Sequence, residues 1–369
     1  MDTTRIDTAV IGAGVVGLAT ARAIARGGRS VCVLERDSRP GRGTSTRNSQ
    51  VIHAGLYYPA NSVKAKDCVD GARMLYEFCS THGVPYARCG KLVIAADVTE
   101  IPALEALQSR GRDNGVEGLE IVDRGFIRAR EPHVSAAAAL YSPHTGIVDA
   151  ERLIAALYRE CSEMGVIVLL GTPLVGMTEV TDGLELATSS ERIHVRSVVN
   201  AAGLYADEVS ALLGGDEVTI YPCRGEYAEL VPTKRSLING LVYPLPDRSG
   251  HSLGVHATRT IHGNVTFGPT VRFQTGKDDY ESDRLPLKYF LEHARPLLPE
   301  LTLDDLRLGA SGIRPKLHPP GSSFADFRIE RDGRCARLVQ AVGIESPGLT
   351  ACLAIGARVA KLVEGVPSD

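Results

Sequence analysis

The most constraining feature of the chain is a glycine pattern that joins two short apolar runs near its start. The first run ends at Gly12, and Gly14 and Gly17 complete a G-x-G-x-x-G spacing. An alanine-rich stretch at 15–26 follows, and the second apolar run occupies 31–34. This order predicts a strand, a glycine turn, a helix and a second strand, which is the unit that binds dinucleotides in α/β proteins.

Each part of this unit has a physical role in such a site. Gly12 permits the tight turn, Gly14 lets a pyrophosphate approach the backbone, and Gly17 lets the helix pack closely on the strand. The first N–H groups of the helix and its positive pole attract phosphates. Glu35 follows roughly 20 residues on, where a carboxylate accepts hydrogen bonds from ribose hydroxyls. We therefore predict a dinucleotide site that includes Glu35 and Arg36, against the alternative of a glycine-rich turn that binds nothing.

Composition narrows the class of protein. A chain of 369 residues suits two domains, and a net charge of -3 argues against a nucleic-acid partner. The eight cysteines are scattered without a C-x-x-C pair, so we expect neither a metal site nor disulfides, and a cytoplasmic location. No run of about 20 apolar residues predicts a transmembrane segment. Peripheral membrane contact stays open.

The order of helix-like and strand-like segments predicts an α/β protein with an interrupted domain. A Rossmann-like nucleotide-binding domain takes residues 1–86, 146–218 and 310–369, and a mostly antiparallel α+β substrate domain takes 87–145 and 219–309. Outside the first unit we predict strands at 90–95, 166–170, 196–200, 227–231, 241–244, 253–258 and 264–268, and helices at 98–114, 150–164, 287–296 and 349–364.

Two further small-residue elements favour FAD over NAD. Asn200–Gly203 ends a strand and opens a helix, so that Ala202 and Gly203 let the backbone approach a cofactor. Gly343 and Gly348 precede the last helix, whose N-terminus we expect to face the flavin ring. The residues assigned to the cofactor on this ground are Ala202, Gly203, Gly343, Gly348, Leu349 and Thr350.

Taken together, the three glycine elements resemble the D-amino-acid-oxidase-like superfamily of FAD enzymes. Within it, further motifs are similar to those of the L-2-hydroxyglutarate dehydrogenases, although that family usually has glycine where Gln50 stands and is longer between Gln274 and Leu301. The resemblance implies that Asn48 and Ser49 lie near the flavin. It also implies that electrons pass to a quinone, another membrane acceptor or a dye rather than to nicotinamide. The motifs that carry it are 48–58, 224–227, 243–247, 253–259 and 312–315.

Oxidation of a 2-hydroxy acid needs a base for the hydroxyl proton and cations for the carboxylate. His53 is the first candidate base, because imidazole titrates near working pH, and His256 is the second. Arg314 is the first candidate for binding the carboxylate through its planar guanidinium. The alternatives are a loop histidine bonded to backbone, a histidine on a surface strand and an arginine paired with a structural carboxylate. Possible second contacts to the substrate are Arg224, Tyr227 and Arg259.

Two minor expectations complete the candidate site. Lys64 and Lys66 follow the His53 segment, and we interpret them as solvated helix charges. We expect the flavin to be bound non-covalently, since a covalent link would require a suitably placed His53, Cys335 or Cys352.

Three functions compete on the sequence alone. The first is an FAD-dependent dehydrogenase of 2-hydroxy acids, such as L-2-hydroxyglutarate. The second is an amino-acid or glycine oxidase of the same superfamily that uses oxygen. The third, a non-catalytic or tRNA-modifying flavoprotein, is disfavoured because the chain shows no basic face. A histidine base favours the first over the second, because an amine can lose hydride without a strong base.

Overall fold

The protein folds into three sheets and eight α-helices among the residues that the computed structural model describes, 6–246, 254–322 and 324–366. Asp247 and Leu253, which belong to two of the motifs named above, lie outside the described residues. The α-helices are α1 Val15–Arg26, α2 Val63–His82, α3 Ile101–Asp113, α4 Arg124–Arg130, α5 Ala150–Glu163, α6 Ala206–Leu212, α7 Leu287–Ala294 and α8 Gly348–Glu364. Short 3-10 helices occupy Val98–Glu100, Gly203–Tyr205, Pro232–Leu237 and Leu303–Asp305.

The strands differ widely in length. They are β1 Ile6–Ile11, β2 Val31–Leu34, β3 Val51–Ile52, β4 Tyr86–Ala87, β5 Lys91–Ala95, β6 Glu120–Asp123, β7 Ala138–Ser142, β8 Gly146–Val148, β9 Ile167–Leu169, β10 Leu174–Val180, β11 Gly183–Thr188, β12 Arg192–Asn200, β13 Tyr221–Leu230, β14 Leu241–Pro244, β15 His256–Arg259, β16 Val265–Gly268, β17 Arg272–Phe273, β18 Leu306–Lys316, β19 Arg328–Arg331 and β20 Leu338–Val342.

The first sheet carries the glycine unit at its centre. β1, β2, β9, β12 and β20 are parallel, and β10, β11 and β19 add antiparallel edges. β2 is buried along its whole length, as expected for a parallel strand covered on both faces. Helices α1, α2, α5 and α8 supply much of the main apolar core that packs with this sheet.

The glycine turn has the geometry that its sequence predicted. Gly12 has a φ of +103°, and a Cβ there would lie 2.7 Å from the carbonyl oxygen of Ala201. A Cβ on Gly17 would lie 1.9 Å from the oxygen of Gly12, so only glycine allows α1 to pack this closely on the turn. The helix then ends at Arg26 with Gly27 as its C-cap.

The second sheet is mainly antiparallel. Its strands follow the order β17-β13-β16-β15-β14-β5-β7-β6, and β18 pairs with β13. Only the pair β14 and β5 is parallel among these described strands. β18 crosses the boundary that the sequence predicted at residue 310, because its residues pair with β13 from Leu306 to Lys316. The division into two domains at the other boundaries stays a prediction.

A third, small sheet has the order β3-β8-β4. Its strand β3 directly precedes His53, and Val51 pairs with Ile147 of β8. The amide of Val148 also donates to the oxygen of Gln50 at 2.9 Å. This sheet therefore holds the His53 segment beside the two larger sheets.

The structure confirms an α/β fold and corrects several elements. The hairpin of β10 and β11 and the long strand β18 were not predicted, and helix α2 was anticipated only at Lys64 and Lys66, without bounds. The helix predicted at 287–296 ends at Ala294, two residues before Pro296, which disfavours a helical conformation at the residue before it. The stretch predicted as one helix at 98–114 is a 3-10 turn followed by α3.

Candidate active site

A cavity of about 670 Å³ is lined by residues of all three sheets, a size typical of ligand sites. On the side of the first sheet, its walls come from the turn after β1, the segment after β2 and the turn after β12. On the side of the second sheet, they come from β13, β14, β15 and β18. The segment before α8 also lines it.

The glycine turn opens into this cavity. Gly12 and Gly14 line it, whereas Gly17 lies behind them in the contact between α1 and the turn. Gly14 is the N-cap of α1 and supplies no side-chain cap, and Val15 and Val16 of the first turn also line the cavity. The N-terminus of α1 therefore faces a space in which an anionic group would be stabilised.

Glu35 lines the cavity and is held by the backbone around it. Its Oε2 accepts from the amide of Ala13 at 2.8 Å, and its Oε1 accepts from the amide of Asp37 at 2.9 Å. Each carboxylate oxygen keeps further lone-pair capacity for a ribose hydroxyl. Arg36 also lines the cavity, with its guanidinium 3.5 Å from the ring centre of Tyr205.

The segment 48–50 lines the cavity and is braced from within. The side-chain Nδ2 of Asn48 donates to the backbone oxygens of Thr44 and Ser45, and its Oδ1 accepts from the backbone amide of Gln50 at 2.8 Å. Gln50 has a φ of +57°, the left-handed conformation that glycine adopts more easily. Ser49 shares a hydrogen bond of 2.9 Å with the hydroxyl of Tyr227 across to the second sheet.

The other predicted cofactor residues divide into two groups. Ala202, Gly203, Gly348 and Leu349 line the cavity, the last two at the N-terminus of α8, where no side chain caps the helix. Gly343 and Thr350 do not line it. A Cβ at Gly343 would lie 2.3 Å from the side chain of Leu317, so this glycine serves close packing. The hydroxyl of Thr350 accepts from the amide of His53 at 3.0 Å and so positions that residue.

His53 and His256 both line the cavity. His53 Nε2 lies 3.3 Å from the hydroxyl of Ser346, and its Nδ1 is buried without a hydrogen-bond partner among the described residues. Burial, with the nearby charges of Lys91 and His256, lowers the pKa of His53 to about 3, so its ring is neutral at pH 7. His256 is buried on β15 and stacks on Tyr243 with ring centres 3.8 Å apart, so it is not a surface residue.

Lys91 is a functional candidate that the sequence analysis missed. It is 1% exposed at the start of β5, and its ammonium lies 4.6 and 4.7 Å from the ring centres of Tyr57 and Tyr243. Burial lowers its pKa to about 7. A lysine at the head of an otherwise apolar strand was the signal that could have identified it, because buried lysines are rare without a partner.

Arg314 and Tyr227 both line the cavity. The guanidinium of Arg314 donates to the carbonyl oxygens of Cys223 and Thr270. It makes no ion pair within 4.0 Å among the described residues, so it is not an arginine paired with a structural carboxylate. Tyr227 is buried, which raises the pKa of its phenol and keeps it a hydrogen-bonding group.

Arg224 and Arg259 do not line the cavity, and the structure gives each another role. Arg224 is 1% exposed and bonds Glu226, with a closest approach of 3.1 Å. Arg259 donates to the carbonyl oxygens of Arg235 and Ile238. Side chains alternate between the two faces of a strand. Arg224 therefore points away from the face of β13 that carries Tyr227, and Arg259 points away from the face of β15 that carries His256.

Lys64 corrects another expectation. It is 4% exposed, and its ammonium lies 3.0 Å from Glu345, whereas Lys66 is exposed as predicted. Of the candidates for covalent attachment, Cys335 and Cys352 do not line the cavity. Cys352 lies in the main core, where burial raises the pKa of its thiol to about 12.

The cavity fits a dinucleotide with a flavin ring. Two helix N-termini whose N-cap residues supply no side-chain cap border it, and the side-chain-free surface of Gly12 and Gly14 lies next to the carboxylate of Glu35. A sequence model of the family described as FAD dependent oxidoreductase matches residues 7–362. The chain belongs to this family. Its cofactor is FAD, and it is an oxidoreductase.

Relatives of this FAD-dependent oxidoreductase share most of its length. It is 38% identical to the mitochondrial L-2-hydroxyglutarate dehydrogenase of Arabidopsis thaliana over 96% of the chain and 83% of the relative. It is 32% identical to the Homo sapiens enzyme of the same name over 98% of the chain and 89% of the relative. This family resemblance confirms the one inferred from the motifs.

Solved structures of two other oxidases share the fold. An L-alpha-glycerophosphate oxidase from Mycoplasma pneumoniae with FAD bound superposes with a TM-score of 0.88 at 24% identity, covering 98% of this chain and 95% of that one. A glycine oxidase from Geobacillus kaustophilus gives a TM-score of 0.82 at 22% identity, with 98% and 95% covered.

Two features are absent from the described residues, a metal-binding cluster and a membrane-spanning helix. No group of three or more His, Cys, Asp or Glu side chains there is arranged to hold a metal ion. None of the helices in the described part of the chain combines the length and the apolar character needed to cross a bilayer.

Proposed function

We propose that this enzyme oxidises a small 2-hydroxy acid, of the L-2-hydroxyglutarate type, to the 2-oxo acid. The observation that carries the proposal is the presence, in one cavity, of the neutral imidazole of His53 and the guanidinium of Arg314 without a carboxylate partner. The names of the relatives, at 31–38% identity, support the same substrate class.

His53 takes the hydroxyl proton in this proposal. A low pKa keeps the ring unprotonated, and its unpartnered Nδ1 leaves the imidazole with unused hydrogen-bonding capacity. An anionic substrate nearby raises the basicity of the ring, because it opposes the positive charge of Lys91. Thr350 and Ser346 hold the residue from its amide and its Nε2, which limits the orientations that the ring can take.

Arg314 binds the carboxylate next to the reacting carbon. Its two hydrogen bonds within the described residues go to neutral carbonyl oxygens, so its positive charge is available to an anionic ligand. Tyr227, tied to Ser49, supplies a hydroxyl on the same wall of the cavity. When bound, FAD supplies the ring that accepts the hydride from the α-carbon.

One observation favours a second candidate, an amino-acid or glycine oxidase that uses oxygen. A pKa of about 3 makes His53 a weak base before substrate binds, and an amine can be oxidised without a strong base. Arg314 would bind the carboxylate of either substrate.

Anaerobic reduction of the flavin separates the two candidates. We expect L-2-hydroxyglutarate, or a near 2-hydroxy acid, to bleach the flavin absorbance, and glycine and D-amino acids to do so slowly. D-2-hydroxyglutarate is the matched control for handedness. Faster bleaching by glycine or a D-amino acid than by any hydroxy acid would replace the first candidate by the second.

The natural electron acceptor belongs to the same proposal. We expect a quinone or a redox dye to reoxidise the reduced enzyme faster than oxygen does, and NAD not to reoxidise it. The rates of reoxidation after anaerobic reduction test this directly. Rapid formation of hydrogen peroxide in air would instead identify an oxidase.

A further inference from the structure

A group of buried charges that the proposed chemistry does not use lies along the same cavity. Glu345 accepts from the ammonium of Lys64 at Oε1, 3.0 Å away, and from that of Lys316 at Oε2, 2.9 Å away. The side chain of Lys64 is 5% exposed, that of Glu345 is 9% exposed and that of Lys316 is 12% exposed. All three line the cavity. We call Lys64, Glu345 and Lys316 the dilysine cluster.

The dilysine cluster carries a surplus of positive charge. Burial alone would raise the pKa of Glu345, but the two lysines outweigh it and hold that pKa at about 2, so the carboxylate is ionised. Each lysine makes one ion pair among the described residues, and both share this single carboxylate. One negative charge therefore faces two positive ones, and Arg314 adds a third cation close enough to act on Glu345.

Two further polar groups lie beside the cluster, and neither forms an ion pair with its lysines among the described residues. Asp326 directs its carboxylate to the backbone amides of Val63 and Lys64 rather than to an ammonium. His318, 3.4 Å from the ammonium of Lys316, has a pKa lowered chiefly by burial, which keeps it neutral. Two aromatic rings also lie near Lys64, with the ring centres of Phe324 and Phe327 each 5.2 Å from its ammonium.

The cluster is connected to the candidate base through the chain itself. Ser346, which contacts His53 Nε2 at 3.3 Å, is the next residue after Glu345. Lys316 follows Arg314 by two residues on β18, so both point to the same face of that strand. The cavity thus offers a carboxylate-binding guanidinium and a second cationic site beside one histidine.

We propose that the dilysine cluster binds a second carboxylate, at the far end of the substrate, and so makes the enzyme selective for dicarboxylic 2-hydroxy acids. This inference rests on the proposed function for the identity of the substrate. Burying a net positive charge costs free energy, and an anionic ligand that binds beside the cluster offsets this cost. A 2-hydroxy acid with one carboxylate can pair with Arg314 but leaves the net positive charge of the cluster uncompensated.

Binding of non-reactive acids to the FAD-loaded enzyme tests the cluster apart from the reaction. Glutarate has two carboxylates and no hydroxyl, and valerate is a five-carbon acid with one. Isothermal titration calorimetry should show that glutarate binds about 30-fold or more tightly than valerate, the lower end for a buried charge pair. Equal affinity of the two acids for the parent enzyme would overturn the proposal without any variant.

Substitutions then test whether the dilysine cluster causes the preference for glutarate over valerate. Lys316→Met should reduce the ratio of the two affinities by about tenfold or more, and Lys316→Arg should restore part of it because it keeps the charge. Lys66→Met is the matched control, since Lys66 is exposed on the same helix as Lys64 and does not line the cavity. An unchanged ratio in Lys316→Met, with FAD content equal to that of the parent, would contradict the assignment.

The same variants distinguish binding of the second substrate carboxylate from an effect of the cluster on the flavin. If the cluster served the flavin alone, Lys316→Met would shift the reduction potential and weaken both acids equally, which would overturn the proposal. We expect the potential to stay close to that of the parent. Failure of every hydroxy acid to reduce the flavin would refute the proposed function, whereas the preference for glutarate would still stand or fall by the binding measurement.

Discussion

Two buried carboxylates, each held by basic side chains, serve different purposes in this protein. Glu226 is fully buried on β13, 3.1 Å from Arg224 and 3.0 Å from Arg284, and its Oε2 also accepts the amide of Leu285. The two arginines direct further N–H groups to carbonyl oxygens of the protein, so nothing in this group is left for a ligand. Glu345 is held by two lysines that line the cavity.

The comparison turns on whether the protein itself uses up the hydrogen bonds and charge of the basic side chains. In a structural ion pair it does, whereas a binding site keeps some of that capacity for a ligand. A guanidinium has five donors in one plane and can satisfy a carboxylate and several carbonyl oxygens at once, which favours closed structural networks. An ammonium carries its charge on one atom, and two of them around one carboxylate leave a net positive charge. Arg224 was therefore a poor candidate for a substrate contact, and Lys64 was a better one than the sequence indicated.

The largest effect should come from opening the closed group. Glu226→Ala leaves the buried Arg224 with a weaker carboxylate partner, Asp279, which is 3.7 Å away and 44% exposed. The free energy of unfolding should therefore fall by about 3–5 kcal/mol in urea denaturation. The matched control is Glu229→Ala on the same strand, whose partner Arg307 is 50% exposed, and this change should cost less than about 1 kcal/mol. Similar losses in the two variants would contradict the structural role given to Glu226.

The next effect concerns the cavity side of the comparison. His53→Ala should retain FAD and slow anaerobic flavin reduction by the hydroxy acid about 100-fold or more, because general-base catalysis contributes that much. His293→Ala, at an exposed histidine outside the cavity, is the control and should react at the parent rate. A parent rate in His53→Ala would move the base to His256.

A smaller effect should follow at the ribose end of the cavity. Glu35→Ala removes a charged acceptor and its two bonds to the backbone, so the affinity for FAD should fall by about 1.5–3 kcal/mol, roughly one to two decades. Equilibrium dialysis of the apoprotein with FAD measures it, and Glu35→Gln, which keeps a carbonyl oxygen acceptor, should fall between parent and Ala. An unchanged affinity would show that another residue holds the ribose.

The smallest effect tests Lys91 through pH. Burial is the larger cause of the low pKa of His53, and the charge of Lys91 lowers that pKa further. Reduction needs the neutral ring, so the rate falls as pH drops through that pKa. Lys91→Met removes a positive charge, raises the pKa of His53 and should move the acidic limb of the rate profile upward by about one pH unit or more. An acidic limb at the parent position, as expected for the control Lys66→Met, would remove Lys91 from this role.

Much of the fold was predictable where local rules decide it. The turn at Gly12, the helix α1 and the last helix follow from glycine positions and apolar periodicity, and the structure places them within a residue of the prediction. Helix α2 also carried local signals, because Ser62 caps its start and Gly83 ends it with a φ of +65°. Strand β18 carried weaker ones, since glycine and proline interrupt it and its pairing with β13 is a long-range contact.

The candidate site was predictable in part for the same reason. The motif around His53 and the position of Arg314 identified two residues that line the cavity. The alternation of side chains along a strand would have shown that Arg224 and Arg259 do not face the cavity. Each is an odd number of residues from a cavity residue on its strand, Tyr227 and His256 respectively.

The sequence by itself determined that this chain binds a dinucleotide, because glycine spacing, a helix N-terminus and Glu35 act within one short segment. It also determined, through its motifs, the family to which the chain belongs. Only the tertiary structure decided which charges meet. Lys64, Lys316 and Glu345 come from three distant segments, and their spacing in the chain says nothing about a shared cavity. The physical reason is that a buried charge depends on partners and water exclusion, which exist only after the sheets have packed.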